Sequence, residues 1–208
     1  MIEILSLGIY RNNKGIYEVI GYIKATMKFC KFELNSIFNK NRRAWDIGAV
    51  TKVESFIKMS DDNIKIIGDC ILDRYLDKHS LKEFLEKNKI DFMKCIKTYS
   101  IKFCIIKPSI IQKIYMQQNR CYVELISEGI CKKLQIKDVR WIEYWNYILK
   151  KNDKRLLEEK ESHYKKFLNE REVFFLGYKE NIDFNNRNQN SRYKLDTSYI
   201  NIASVFWF

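Results

Sequence analysis

The chain has little of the material from which catalytic and cofactor sites are built. Its 208 residues hold two histidines, one proline and seven glycines. His79 and His163 stand apart, and the cysteines at 30, 70, 95, 104, 121 and 131 form no Cys-x-x-Cys pair. That spacing excludes the common zinc motifs, so neither a metal nor a cofactor is expected. Proline and glycine are too sparse for a fibrous or disordered chain. No apolar run approaches the length of a membrane span. Met1 leads directly into an alternating segment with Glu3 in third place, unlike a secretory signal. The expectation is a cytoplasmic protein without a membrane partner, its thiols reduced.

Acidic residues are also scarce where it matters. From Phe92 to Val123 there is none, while Lys94, Lys97, Lys102, Lys107, Lys113 and Arg120 are present with Tyr99, Tyr115 and Tyr122 among them. Over the whole chain 38 Lys+Arg stand against 26 Asp+Glu, a formal net charge of +12. An excess of that size suits a polyanionic partner, nucleic acid first. The bland alternative is an AT-biased genome rich in Lys, Ile and Asn codons. With 46% hydrophobic residues, a core is readily buried.

Read in order, the chain is rich in short strands. Ile2–Tyr10 alternates, Arg11–Gly15 reads as a turn, and Ile16–Met27 returns as a second strand with Gly21 marking a bulge. Lys28–Arg43 fits neither period, and its end, Asn39–Arg43, reads as an exposed basic loop. Thr51–Met59 is a strand, 60–63 a turn and Ile64–Leu72 a further strand. Ser80 with Glu83 reads as a capping box opening a short helix over Ser80–Asn88. Three or four strands at hairpin spacing follow between Ser100 and Ile136. Asp138 caps a helix to about Lys150, with Trp141, Tyr144, Trp145 and Ile148 on one stripe, better suited to a core than to a ligand. Lys150–Asn169 reads as a mixed-charge, solvated helix. Arg171–Tyr178 and Tyr199–Phe208 are strands, the last so apolar that it must be paired. Asn181–Ser191, with Arg187, Arg192 and Lys194 nearby, is a polar loop.

The expected fold class is therefore mainly β with a few helices (α+β): two small OB-like barrels in tandem, 1–92 and 93–208. Such Greek-key barrels hold five strands and leave one face and two loops for nucleic acid.

Four segments resemble the C-terminal half of the prokaryotic dual OB-containing domain family. They are Phe103–Pro108, the hairpin through Cys121–Ile136, the turn Ile136–Trp141 and the late strands Val173–Tyr178 and Ile200–Phe208. The turn is similar to that family's Val-Thr-Asp-x-x-Trp, with Lys137 in place of threonine. In the first half, the opening strand and Trp45–Val50 resemble it. The family's glycine-arginine-cysteine segment after the first strand is absent, and 150–169 stands as an insertion. The resemblance implies two OB-like barrels and nucleic-acid binding, and carries no catalytic residue.

The function expected from these features is non-catalytic binding of single-stranded or structured DNA or RNA, in an accessory subunit of a prokaryotic defence or mobile-element system. The candidate contacts are Arg42, Arg43, Lys102, Lys107, Lys113 and Arg120, with Tyr115 and Tyr122 as stacking platforms. The competing reading is a protein-interaction subunit or inhibitor that docks onto a nucleic-acid enzyme within a larger complex, using 150–169 and 181–191. An enzyme is the third reading. Asp46, Asp61, Asp62, Asp69 and Asp73 cluster in sequence, but at a spacing that matches no metal-dependent nuclease motif.

Overall fold

The computed structural model describes residues 1–12, 14–34, 42–98, 100–179 and 200–208. Tyr99, residues 39–41 of the basic loop and the loop expected over Asn181–Ser191, with Arg187, Arg192 and Lys194, lie outside them. The chain forms two compact units: Met1–Lys87 with Lys137–Arg140, and Asn88–Ile136 with Trp141–Phe208.

In the first unit, β1 (Ile2–Arg11), β2 (Tyr17–Ile23) and β3 (Lys28–Glu33) form an antiparallel meander. The β1–β2 turn bends at Gly15, whose φ of +78° is one that side chains rarely adopt. The segments β4 (Ala49–Val53) and β5 (Phe56–Ser60) behave as one bent strand. So do β6 (Asn63–Ile66) and β7 (Cys70–Tyr75), and the two bent strands pair antiparallel along their length. β4 also pairs antiparallel with β1, and β6 runs parallel to β3. Numbering the bent strands as fourth and fifth gives the cyclic order 1-2-3-5-4-1, a closed five-stranded Greek key of the OB type. The bulge lies on β1, between Ser6 and Gly8, opposite Gly21. Gly21 is required for packing: a Cβ there would meet Ile4 Cγ2 at 2.6 Å. The barrel is filled by Ile4, Val19, Phe32, Trp45, Val53 and Ile66, all nearly inaccessible.

The first helix, α1 (Lys78–Lys87), begins earlier than the capping box predicts. Asp77 makes the start, accepting from the Ser80 backbone N–H at 2.9 Å and from its hydroxyl at 2.6 Å. Ser80 therefore sits inside the first turn as a donor to the cap.

The second unit opens with α2 (Phe92–Lys97), a short helix that periodicity did not reveal, capped by Asp91. Next come β8 (Phe103–Ile106) and β9 (Ile110–Gln117), one strand broken at Pro108, where a missing N–H disturbs no ladder. β10 (Arg120–Ser127) and β11 (Ile130–Ile136) complete a second meander with β9. After α3 (Val139–Leu149) and α4 (Lys154–Asn169) come β12 (Val173–Lys179) and β13 (Ile200–Trp207). β13 pairs antiparallel with β12 and parallel with β11, and β12 pairs with β8. With β8–β9 counted as the first strand, the cyclic order is again 1-2-3-5-4-1. Here the helices fill the connection between the third and fourth strands of the ring.

Trp141 and Trp145 of α3 are buried in the second core, beside Ile114, Val123, Leu134 and Phe175, with Tyr144 packed against it, and Ile148 is buried as well. An aromatic side chain of this kind buries about 150–250 Å². At roughly 25 cal/mol/Å² that contributes on the order of 4–6 kcal/mol, an upper value for the folded gain. The stripe is structural.

The expectation of a solvated α4 needs correction. Its Leu168 is buried, and Leu157, Tyr164 and Phe167 pack on the same core. Its polar residues hold the outer edge of β9. The Asn169 side chain accepts from Ile111 N–H at 2.8 Å and donates to Ile111 C=O at 2.7 Å, while Glu161 accepts from Met116 N–H at 3.0 Å. Only the remaining face of α4 is solvated.

Candidate nucleic-acid interface

Strand alternation sorts the side chains of β9, β10 and β11. Ile111, Ile114, Cys121, Val123, Leu125 and Leu134 face the core. Lys113, Tyr115 and Gln117 of β9, Arg120, Tyr122 and Glu124 of β10, and Lys133 and Gln135 of β11 share the outer face. The β9–β10 connection is Gln118-Asn119, both with positive φ, as a two-residue hairpin of matching twist requires.

Tyr115 and Tyr122 are direct cross-strand partners. Their rings stack with centroids 5.8 Å apart and planes 29° from parallel. Lys133 Nζ lies 4.2 Å from the Tyr122 centroid and 5.2 Å from that of Tyr115, and Lys113 Nζ lies 4.6 Å from the Tyr115 centroid. The Tyr115 hydroxyl donates to Glu124 Oε1 at 2.8 Å. Burial pushes the Tyr115 phenol above its ordinary pKa, opposed by the hydrogen bond with Lys133 and helped by Glu124. The hydrogen bond with Tyr115 holds the Lys133 ammonium above its own. At neutral pH the site is two half-buried rings framed by ammonium groups, with one carboxylate among them.

Of the residues singled out from sequence, Lys113, Tyr115, Arg120 and Tyr122 share this face. Lys107 does not belong with them. It lies at the β8–β9 break, ion-paired to Glu172 and 5.2 Å from the Phe174 centroid. Lys102 lies half-buried just before β8, and its backbone carbonyl accepts from Lys179 N–H at 2.9 Å. Arg42 and Arg43 are exposed on a 3-10 turn of the first unit, where the Arg43 carbonyl accepts from the Tyr75 hydroxyl at 3.0 Å. Lys133 and Glu124 were missed. Both lie just past the acid-free run, and only strand register sets them beside the tyrosines.

The equivalent face of the first unit is occupied by its own helix. Phe84 of α1 packs edge-on against Tyr22 and Phe29 of β2 and β3, with centroids 4.9 and 6.3 Å away. Four of the five carboxylates that cluster in sequence have structural partners: Asp46 accepts from the Tyr75 hydroxyl at 3.3 Å, Asp61 pairs with Lys58, Asp62 accepts from the Ser60 hydroxyl, and Asp73 pairs with Lys52 and Arg74. Among the described residues no three His, Cys, Asp or Glu side chains are placed to hold a metal ion.

No protein-family model matches this chain, and no curated protein matches it. Solved structures overlap it loosely. The tetrameric p202 HIN2 domain aligns over 99% of this chain and 89% of its own, at 6% identity and a TM-score of 0.38. A murine DNA-binding protein bound with double-stranded DNA aligns over 99% and 96%, at 9% identity and 0.37. The p204 HINb domain aligns over 67% and 76%, at 5% identity and 0.39. The cyclic strand order, and not these overlaps, carries the fold assignment.

Proposed function

We propose that the protein is a non-catalytic binder of single-stranded nucleic acid, and that the outer face of β9–β10–β11 is its contact surface. The stacked Tyr115–Tyr122 pair framed by Lys113 and Lys133 carries this reading. An OB barrel presents its second and third strands to oligonucleotides, and here those strands are β10 and β11. Each base stacked on an aromatic ring contributes on the order of 1–3 kcal/mol without regard to sequence. Cations around the rings suit the phosphates between successive bases. Duplex DNA keeps its bases stacked inside and offers these rings no partner. A role as accessory subunit in a prokaryotic defence or mobile-element system belongs to the same proposal.

Filter binding to labelled single-stranded and duplex oligonucleotides at several salt concentrations tests the reading. Each phosphate contact on a single strand adds about 0.7 to the slope of log K against log salt. Replacing Lys113, Arg120 and Lys133 together by Gln should lower the slope by about 2. Tyr122→Leu should weaken binding about tenfold or more and leave the slope in place. Equal affinity for duplex, or a slope unmoved by the triple variant, overturns the reading. Recovery of a partner protein after nuclease treatment, with no oligonucleotide binding, would favour a protein-docking role instead.

A further inference from the structure

Glu124 is out of character on a surface built for phosphates. Its cross-strand neighbours are Lys113 on β9 and Lys133 on β11, so a negative charge sits at the centre of the cationic frame. The residue is half-buried, and one carboxylate oxygen accepts from the Tyr115 hydroxyl at 2.8 Å. A carboxylate has about four acceptor positions, so this bond leaves most of them open. Phosphates are repelled by it, and a base edge bearing a donor is attracted.

We propose that Glu124 makes this face select pyrimidines with an exocyclic amino group, cytosine over thymine or uracil. The inference rests on the single-strand reading above and adds a specificity to it. A base stacked on Tyr122 brings its edge toward the neighbouring strand position, where Glu124 stands. Cytosine presents its N4 amino group, which a carboxylate accepts well. Thymine and uracil present O4, so two acceptors face each other and the carboxylate loses water without gaining a partner. The two pyrimidines have similar ring size, so stacking alone separates them little.

The test is fluorescence anisotropy with end-labelled ten-residue oligo-dC and oligo-dT at pH 7.5 and one fixed salt concentration. Wild-type protein should bind oligo-dC about tenfold more tightly. Glu124→Gln, whose amide both donates and accepts, should bring the ratio close to one, mainly by tightening oligo-dT. Tyr115→Phe, which keeps the ring, should preserve the ratio. Melting temperatures of both variants check that the fold is intact. Equal wild-type affinities, or a preference that survives Glu124→Gln, overturn the specificity and leave single-strand binding standing. Failure of wild type to bind either oligomer removes the binding reading itself.

Discussion

At the scale of single residues, Lys133 lies over both rings of the tyrosine pair. A cation over a half-buried ring is a modest contact, about 0.5–2 kcal/mol. Lys133 also donates to Gln117 Oε1 at 3.0 Å, and an incoming phosphate would replace these neutral partners with a charged one. Cys131 gives an independent probe of the same face. It is exposed on β11, opposite Ile126 of β10, whereas Cys30, Cys70, Cys95, Cys104 and Cys121 are buried. Burial, reinforced by Asp69, pushes the Cys70 thiol up to about 11, far from the reactive thiolate. Iodoacetamide at pH 8 should therefore modify the native protein at Cys131 first, as mapped by peptide mass. Bound oligonucleotide should slow that reaction. Labelling of several cysteines at one rate would contradict the packing described here. Sequence showed the tyrosines and Lys113 as candidates because the acid-free run from Phe92 to Val123 interleaves tyrosines with basic residues. It did not show that Lys107 is neutralised, because Glu172 lies far along the chain.

At the scale of elements, the helices work as covers and clamps. Asn169 satisfies both backbone groups of Ile111 on an edge that β10 does not reach. Asn169→Ala should lower the unfolding free energy by about 1–3 kcal/mol, the cost of orphaned backbone groups, as measured by urea titration. Asp138 is fully buried, accepts from Arg140 N–H at 3.0 Å at the start of α3, and pairs with the Arg140 guanidinium. Asp138→Ala should cost about 2 kcal/mol, while Asp138→Asn, which keeps the capping oxygen, should cost less.

The cap of α1 adds a pH dependence. Hydrogen bonds from the Ser80 hydroxyl and backbone hold the Asp77 carboxyl below its ordinary value. A carboxylate depressed in the folded state contributes stability above its unfolded pKa of about 3.9 and loses it as pH falls through the folded value. Asp77→Asn does not titrate, so its melting temperature should fall less than wild type's between pH 5 and pH 2.5. Equal losses would show that this cap does not govern the acid limb. The start of α1 was misplaced from sequence because Asp77 and Ser80 are both good caps. The choice fell to the residue whose side chain meets free N–H groups in the folded chain.

At the scale of the whole molecule, net charge and charge placement make different predictions. Genome bias alone would supply a positive protein whose affinity follows total charge. A built face ties affinity to three positions. Replacing Lys113, Arg120 and Lys133 by Gln, or Lys150, Lys154 and Lys165 by Gln, lowers the formal charge by the same amount from +12. The first variant should lose most single-strand affinity, and the second, on the exposed side of the helical segments, should keep it. Parallel losses in filter binding would assign the charge to composition. Both units share one cyclic strand order, yet among the described residues it is the first whose central strands carry a helix, since α1 lays Phe84 on Tyr22 and Phe29.

Alternation and turn residues were enough to state the fold class, the two strand clusters, the α3 stripe and the buried last strand. These properties are local, set by period and by backbone preference within a few residues. Which strand closes each ring, which sheet face α1 packs on, and which of many lysines stand beside a tyrosine pair were decided only on folding. Register brings Glu124, Lys113 and Lys133 into line across three strands, and Glu172 takes Lys107 away. Pairing between distant segments leaves no mark in any short window of sequence.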